Sequence, residues 1–150
     1  MLDTSPQNPF GPGNAVIWLL AVVAGLVLPA ILIPVVALTE NTVLVEELAK
    51  SIVVIFVIYK LPSGYAKLLA ALVFGLLFGL SESMLYLNNI FQAGDLSVFG
   101  QRLLYTVPMH ALTVIVMTIL SMPSKWLMPI GIALAIGIHT EFNVYIVSIF

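Results

Sequence analysis

Glu46, Glu47 and Lys50 stand together in "VEELAK", Glu82 in "FGLSESMLY", His110 in "VPMHALT", and His139 with Asn143 in "GIHTEFN". These are the residue types of general acid–base chemistry: carboxylates and imidazoles that move protons, and an amide that can donate to a developing oxyanion. Glu46 and Lys50 are four apart, so on a helix they share a face with the acid on the N-terminal side, the better order for pairing. Glu47, three before Lys50, reaches it as well. One reading is a carboxylate pair at a helix start, favoured by the helix dipole, with Lys50 neutralising one charge. The other is that Lys50 fixes one carboxylate while its desolvated neighbour serves as general base toward water.

Glu82 sits between Ser81 and Ser83, close after Gly75 and Gly79 in "GLLFG". Small residues at this spacing allow helices to approach closely, so Glu82 could simply bond a neighbouring helix. An ionisable residue inside an apolar helix is a functional hypothesis by default. His110 and His139 are the two histidines of the chain. Asn143 lies four after His139 and shares its face, where it can orient the imidazole or donate to an oxyanion. Glu141 faces roughly away from that pair and is expected at a cavity edge or against a partner. Several hydrolase types are excluded: the chain has no HExxH zinc motif, no GxSxG elbow and no GxGD sequence. Asp3 and Asp95 are its aspartates, both outside the apolar segments, and a serine mechanism would have to recruit Ser51, Ser81 or Ser83. Two histidines and a glutamate match one catalytic zinc ligand set. The same residues could activate water without a metal, and both readings stay open.

The elements that must position these groups follow from composition. The 150 residues are 61% hydrophobic and 8% charged, with a net charge of −2 and a mean hydropathy of +1.16. A soluble domain carries about 25% charged residues, so this composition predicts an all-α integral membrane protein in contact with lipid. The charge is too small to argue for nucleic acid. Without cysteine there is no disulfide, thiolate ligand or cysteine nucleophile. A bilayer core of about 30 Å takes about 20 helical residues. Runs over 15–38, 43–59, 66–87, 103–121 and 126–149 are the expected spans, forming one helical domain over 15–150 behind a tail at 1–14. The tail lacks the positive leader of a secretory signal, so the first run reads as a retained membrane helix. Pro29 and Pro34 are expected to kink it.

Alternating spans place the start of the second, the end of the third, the start of the fourth and the end of the fifth on one membrane side. Glu46, Glu47, Glu82, His110, His139 and Asn143 then lie about 5–16 Å below that surface at 1.5 Å per residue. A charged group at a helix centre costs about 2.5–3.5 kcal/mol even on the mildest scale. The groups should therefore face one another across a polar cavity. Lys60, Lys67 and Lys125 fall on the opposite side and Arg102 on the cavity side. The positive-inside rule then puts the N-terminus in the cytoplasm and the cavity in the outer leaflet, the plasma membrane of a prokaryote being the expected site.

In order and on successive helices, "EELAK" matches an EExxK motif, "FGLSE" (Phe78 to Glu82) an FxxxE motif and "HTEFN" an HxxxN motif, with His110 on the helix between. Together they resemble the PrsW-type intramembrane proteases, in the superfamily of the CAAX-processing and bacteriocin-processing (CPBP) proteases and the multi-spanning scaffold subunit of gamma-secretase. The likeness covers about residues 43–149. CAAX proteases carry EExxxR and FxxxH instead, so the PrsW branch fits better. The resemblance implies a Glu/His-dependent endopeptidase that cuts membrane-anchored proteins. Carried over by position, Glu46 and Glu47 would activate the attacking water. Glu82, His110 and His139 would be metal ligands, of Zn2+ if a metal is used, or further activators, and Asn143 would stabilise the oxyanion. Family members usually have more than five spans, which leaves two rivals: a non-catalytic scaffold of the same superfamily, and a small ion or proton transporter subunit, which would be expected to assemble as a homo-oligomer.

Overall fold

The computed structural model describes residues 8, 10–39, 41–87, 91–92 and 96–149. Asp3, Asp95 and most of the expected tail lie outside them, as does the Arg102 side chain. Among the described residues the long α-helices are α1 Pro12–Ala37, α2 Thr42–Phe56, α3 Gly64–Leu85, α4 Leu96–Ser121 and α5 Met128–Ile149. Short 3-10 turns at Ile58–Lys60 and Lys125–Leu127 follow α2 and precede α5. Four helices are long and apolar enough to cross a membrane, and α2 is not among them. Its 15 residues rise about 22 Å, short of a 30 Å core. The expected second span is thus a shorter helix that gives way to a 3-10 turn at Ile58. The fourth helix begins at Leu96 rather than 103, so His110 lies deeper in it than expected. Helix α1 runs unbroken through Pro29 and Pro34, and α4 through Pro108.

Local chemistry sets the boundaries. Asn41 caps α2, its side chain accepting from the Leu44 N–H at 3.0 Å. Ser63 does the same for α3 through the Ala66 N–H at 3.2 Å. Packing then closes the five helices into a ring in the order α1, α3, α4, α5, α2, with α2 returning to α1 and also leaning inward on α4. The α3–α4 seam is the tightest. A Cβ on Gly75 would lie 2.5 Å from Ala111 Cα, and one on Gly79 would lie 2.8 Å from Val107 Cα. Only glycine permits that approach. The seam between α1 and α3 is pinned by the Ser81 hydroxyl, which donates to the Leu26 carbonyl at 2.7 Å.

Burial is inverted relative to a soluble protein. Large aliphatic side chains such as Leu19, Ile31, Ile52, Leu112, Ile119 and Leu134 are exposed on the outside, while Glu47, Lys50, His110, Thr113 and Thr118 are fully buried. An apolar exterior around a polar interior is the arrangement a lipid solvent requires. At the end away from the polar cluster, Lys67 and Lys125 both reach the Tyr59 ring, at 4.3 and 5.3 Å from its centroid. The Tyr59 hydroxyl donates to the Ser121 carbonyl at 2.5 Å. Two of the three lysines that the positive-inside argument counts are therefore gathered at one end of the bundle, and Lys60 follows Tyr59 in the chain.

Candidate active site inside the helix ring

Glu47 is the hub of the cluster. Its Oε1 accepts from Lys50 Nζ at 2.7 Å, one turn along the same helix. The same oxygen contacts His139 Nδ1 at 2.7 Å, across to α5. Lys50 reaches on to α4, with Nζ 2.6 Å from His110 Nδ1. His110 in turn meets Glu82 of α3 through its Nε2 and the Glu82 Oε2. A continuous chain of polar contacts, Glu82–His110–Lys50–Glu47–His139, thus links α3, α4, α2 and α5. Four helices share these contacts; His110 is contacted at both ring nitrogens and His139 at Nδ1.

Glu46, the neighbour of the hub, faces His139 of α5. Its Oε2 is 4.0 Å from His139 Nε2. Of the two pairings allowed by spacing, the i, i+3 pair of Lys50 with Glu47 is a direct salt bridge. His139 is oriented by Glu47, rather than by Asn143 as one reading of the shared face suggested. Asn143 instead lines the same cavity as His139.

That cavity, about 300 Å³, is bounded by Glu46, Glu82, His139 and Asn143, with Thr42, Tyr86 and Thr106 among its other walls. A second cleft of about 350 Å³ shares Thr42, Glu46, Glu82 and Tyr86 with it and is otherwise walled by Pro29, Leu32, Ile33, Val36 and Ala37 of α1 and by Leu85. The two carboxylates thus line both a cavity with polar walls and a mostly apolar cleft. The serines that a nucleophilic mechanism would need are committed to backbone carbonyls: Ser51 to Leu48, Ser81 to Leu26 and Ser83 to Gly79. Glu141 is exposed, away from the cluster.

Phe78 is a site residue that the chemistry-bearing residues did not reveal beyond its place in the motif. Its ring lies 4.5 Å from Lys50 Nζ and 5.1 Å from the His110 ring centroid. The signal was its position four before Glu82, hence on the same helix face. Thr42 and Tyr86 carried no such signal, because they reach the cavity only through the packing of helix ends.

Comparison with known proteins finds no match: no family model, no curated protein and no solved structure resembles this chain. The site must be read from its own geometry.

Donor atoms of Glu46, His110 and His139 lie within 4.8 Å of one another, so on spacing this group could hold a metal ion. It differs from the expected set of Glu82, His110 and His139. Glu82 Oε2 directly abuts His110 Nε2, which leaves no room for an ion shared between those two atoms.

Proposed function

We propose that the chain is an intramembrane endopeptidase that hydrolyses membrane-anchored protein substrates with water activated by Glu46 and His139. The observation that carries this reading is the 4.0 Å gap between Glu46 Oε2 and His139 Nε2. It is too long for a direct hydrogen bond, and a water oxygen about 2.8 Å from both acceptors sees them at an angle of about 90°, near the angle between its own O–H bonds. Such a water donates to both groups and turns a lone pair toward the cavity. His139 has its lone pair on Nε2 when Nδ1–H donates to Glu47, so the hub carboxylate prepares it as an acceptor.

The reaction then runs on the chain's own groups. Glu46 takes a proton from the water as its oxygen bonds to the carbonyl carbon of the scissile peptide. Asn143 donates to the carbonyl oxygen as that oxygen becomes negative. The proton held by Glu46 passes to the departing nitrogen when the C–N bond breaks. The apolar cleft against α1 suits a substrate that arrives from lipid, because it brings an apolar segment to Glu46 and Glu82 without crossing water.

On spacing, Glu46, His110 and His139 would be the residues to hold Zn2+, which would supply Lewis-acid polarisation of the carbonyl. The decisive experiment is cleavage of a single-span reporter protein co-reconstituted with the purified chain in liposomes. Cleavage should occur with the natural sequence and vanish in Glu46→Gln and in His139→Ala while circular dichroism stays unchanged. Undiminished cleavage in both variants sinks the assignment. No cleavage by the natural chain of any single-span reporter returns the scaffold and transporter readings.

A further inference from the structure

His110 and His139 are asked to do opposite things by their neighbours. Lys50 has three N–H donors and no acceptor. Its Nζ lies 2.7 Å from Glu47 Oε1 and 2.6 Å from His110 Nδ1, and all three side chains are fully buried. An ammonium held by a carboxylate can only donate to Nδ1, so Nδ1 must present its lone pair. The ring proton of neutral His110 is then on Nε2, the nitrogen that abuts the Glu82 carboxylate. His139 has the reverse arrangement, with Nδ1–H aimed at Glu47 Oε1 at 2.7 Å and the lone pair on Nε2.

We infer that Lys50 is a positioning residue that fixes His110 as the Nε2–H tautomer, so that the two histidines of the cluster carry opposite tautomers and only His139 offers a lone pair to the cavity. The consequence for metals is direct. A metal takes an imidazole through its lone pair, and His110 presents its lone pair to Lys50. Nε2, the nitrogen on the other side of the ring, carries the proton. Of the group Glu46, His110 and His139, only Glu46 and His139 then remain, one short of the three protein ligands of a catalytic zinc site. Spacing admits an ion, and the direction of the hydrogen bonds opposes it. Phe78 reinforces the lock, its ring 4.5 Å from Lys50 Nζ and so able to hold the ammonium in place by a cation–π contact. The assignment concerns the direction of hydrogen bonds and stands apart from whether the site cleaves peptides.

The test is long-range proton–nitrogen NMR on the full chain labelled with 15N-histidine in detergent micelles. With two histidines in the chain, the His139→Asn variant assigns both rings. The expected result is a proton on Nε2 of His110 and on Nδ1 of His139. A proton on Nδ1 of His110 overturns the proposal. Zinc titration by calorimetry gives an independent readout: Lys50→Met should release Nδ1 to carry the proton and raise zinc affinity at least tenfold over the natural chain. Equal affinity in the two proteins, with tight binding lost in His110→Ala, also overturns it. Should Lys50→Met fail to fold, the tautomers of the natural chain decide alone.

Discussion

At the scale of single residues, the two adjacent glutamates of α2 have different jobs, although they look alike in the sequence. Glu47 holds Lys50 and His139 with one oxygen, while Glu46 lines both cavities. Glu46→Gln should therefore abolish cleavage and cost less stability than Glu47→Gln, since the amide keeps the shape of the side chain. Glu47→Gln leaves a buried ammonium without its counter-charge and should cost about 3–5 kcal/mol. Detergent melting curves set beside a cleavage assay separate the two cases, and equal melting temperatures for both variants would contradict the division of labour. Asn143→Ala should lower kcat by about 10²–10³, as removal of an oxyanion donor does, with KM nearly unchanged. A change confined to KM would make Asn143 a substrate-binding residue instead.

At the scale of elements, the site depends on how closely α3 and α4 meet. Gly75→Ala puts a methyl 2.5 Å from Ala111 Cα and 2.8 Å from the His110 carbonyl, both backbone atoms. The helices must separate, at a cost of about 1–3 kcal/mol, and His110 moves with α4 away from Glu82. Loss of stability and of cleavage should therefore come together. Gly100 and Gly137 supply the contrast, since a Cβ on either meets nothing within 4 Å. Alanine there should be neutral or stabilise by about 0.5–1 kcal/mol, because it only relieves the entropy cost of glycine in a helix. Measuring all three by thermal denaturation tests the packing directly, and equal effects would refute it. The cap of α2 matters for the same reason. Asn41→Ala loses the bond to the Leu44 N–H at a cost of about 1 kcal/mol, in the turn just before Glu46.

At the scale of the whole molecule, the helix ring has a polar end and a basic end. Lys67 and Lys125 converge on Tyr59 beside Lys60, while Thr39 lies in the connector next to the polar cavity. The absence of cysteine makes orientation measurable with single introduced thiols. Under the positive-inside rule, Pro62→Cys should react with an impermeant maleimide only after cells are opened, and Thr39→Cys should react from outside. The reverse pattern would place the cavity on the cytoplasmic side.

Composition and spacing by themselves determined that this is an all-helical chain with an apolar exterior, because lipid allows few buried charges and forces the backbone to satisfy itself within helices. They also determined which polar residues converge, since helix rise and alternating direction bring Glu46, Glu82, His110 and His139 to related depths. Depth along a helix is a local quantity, and sequence reports it. The partner choices were not local. Lys50 could have paired with Glu46 or Glu47, His139 could have turned to Asn143 or to Glu47, and α2 could have run on as an α-helix past Phe56. Those alternatives differ by rotations of a helix about its axis and by where its last turn ends. Only the tertiary structure decided them, through the glycine seam that draws α4 against α3 and through the ring closure that leans α2 on α4. Together these bring His110 within reach of Lys50.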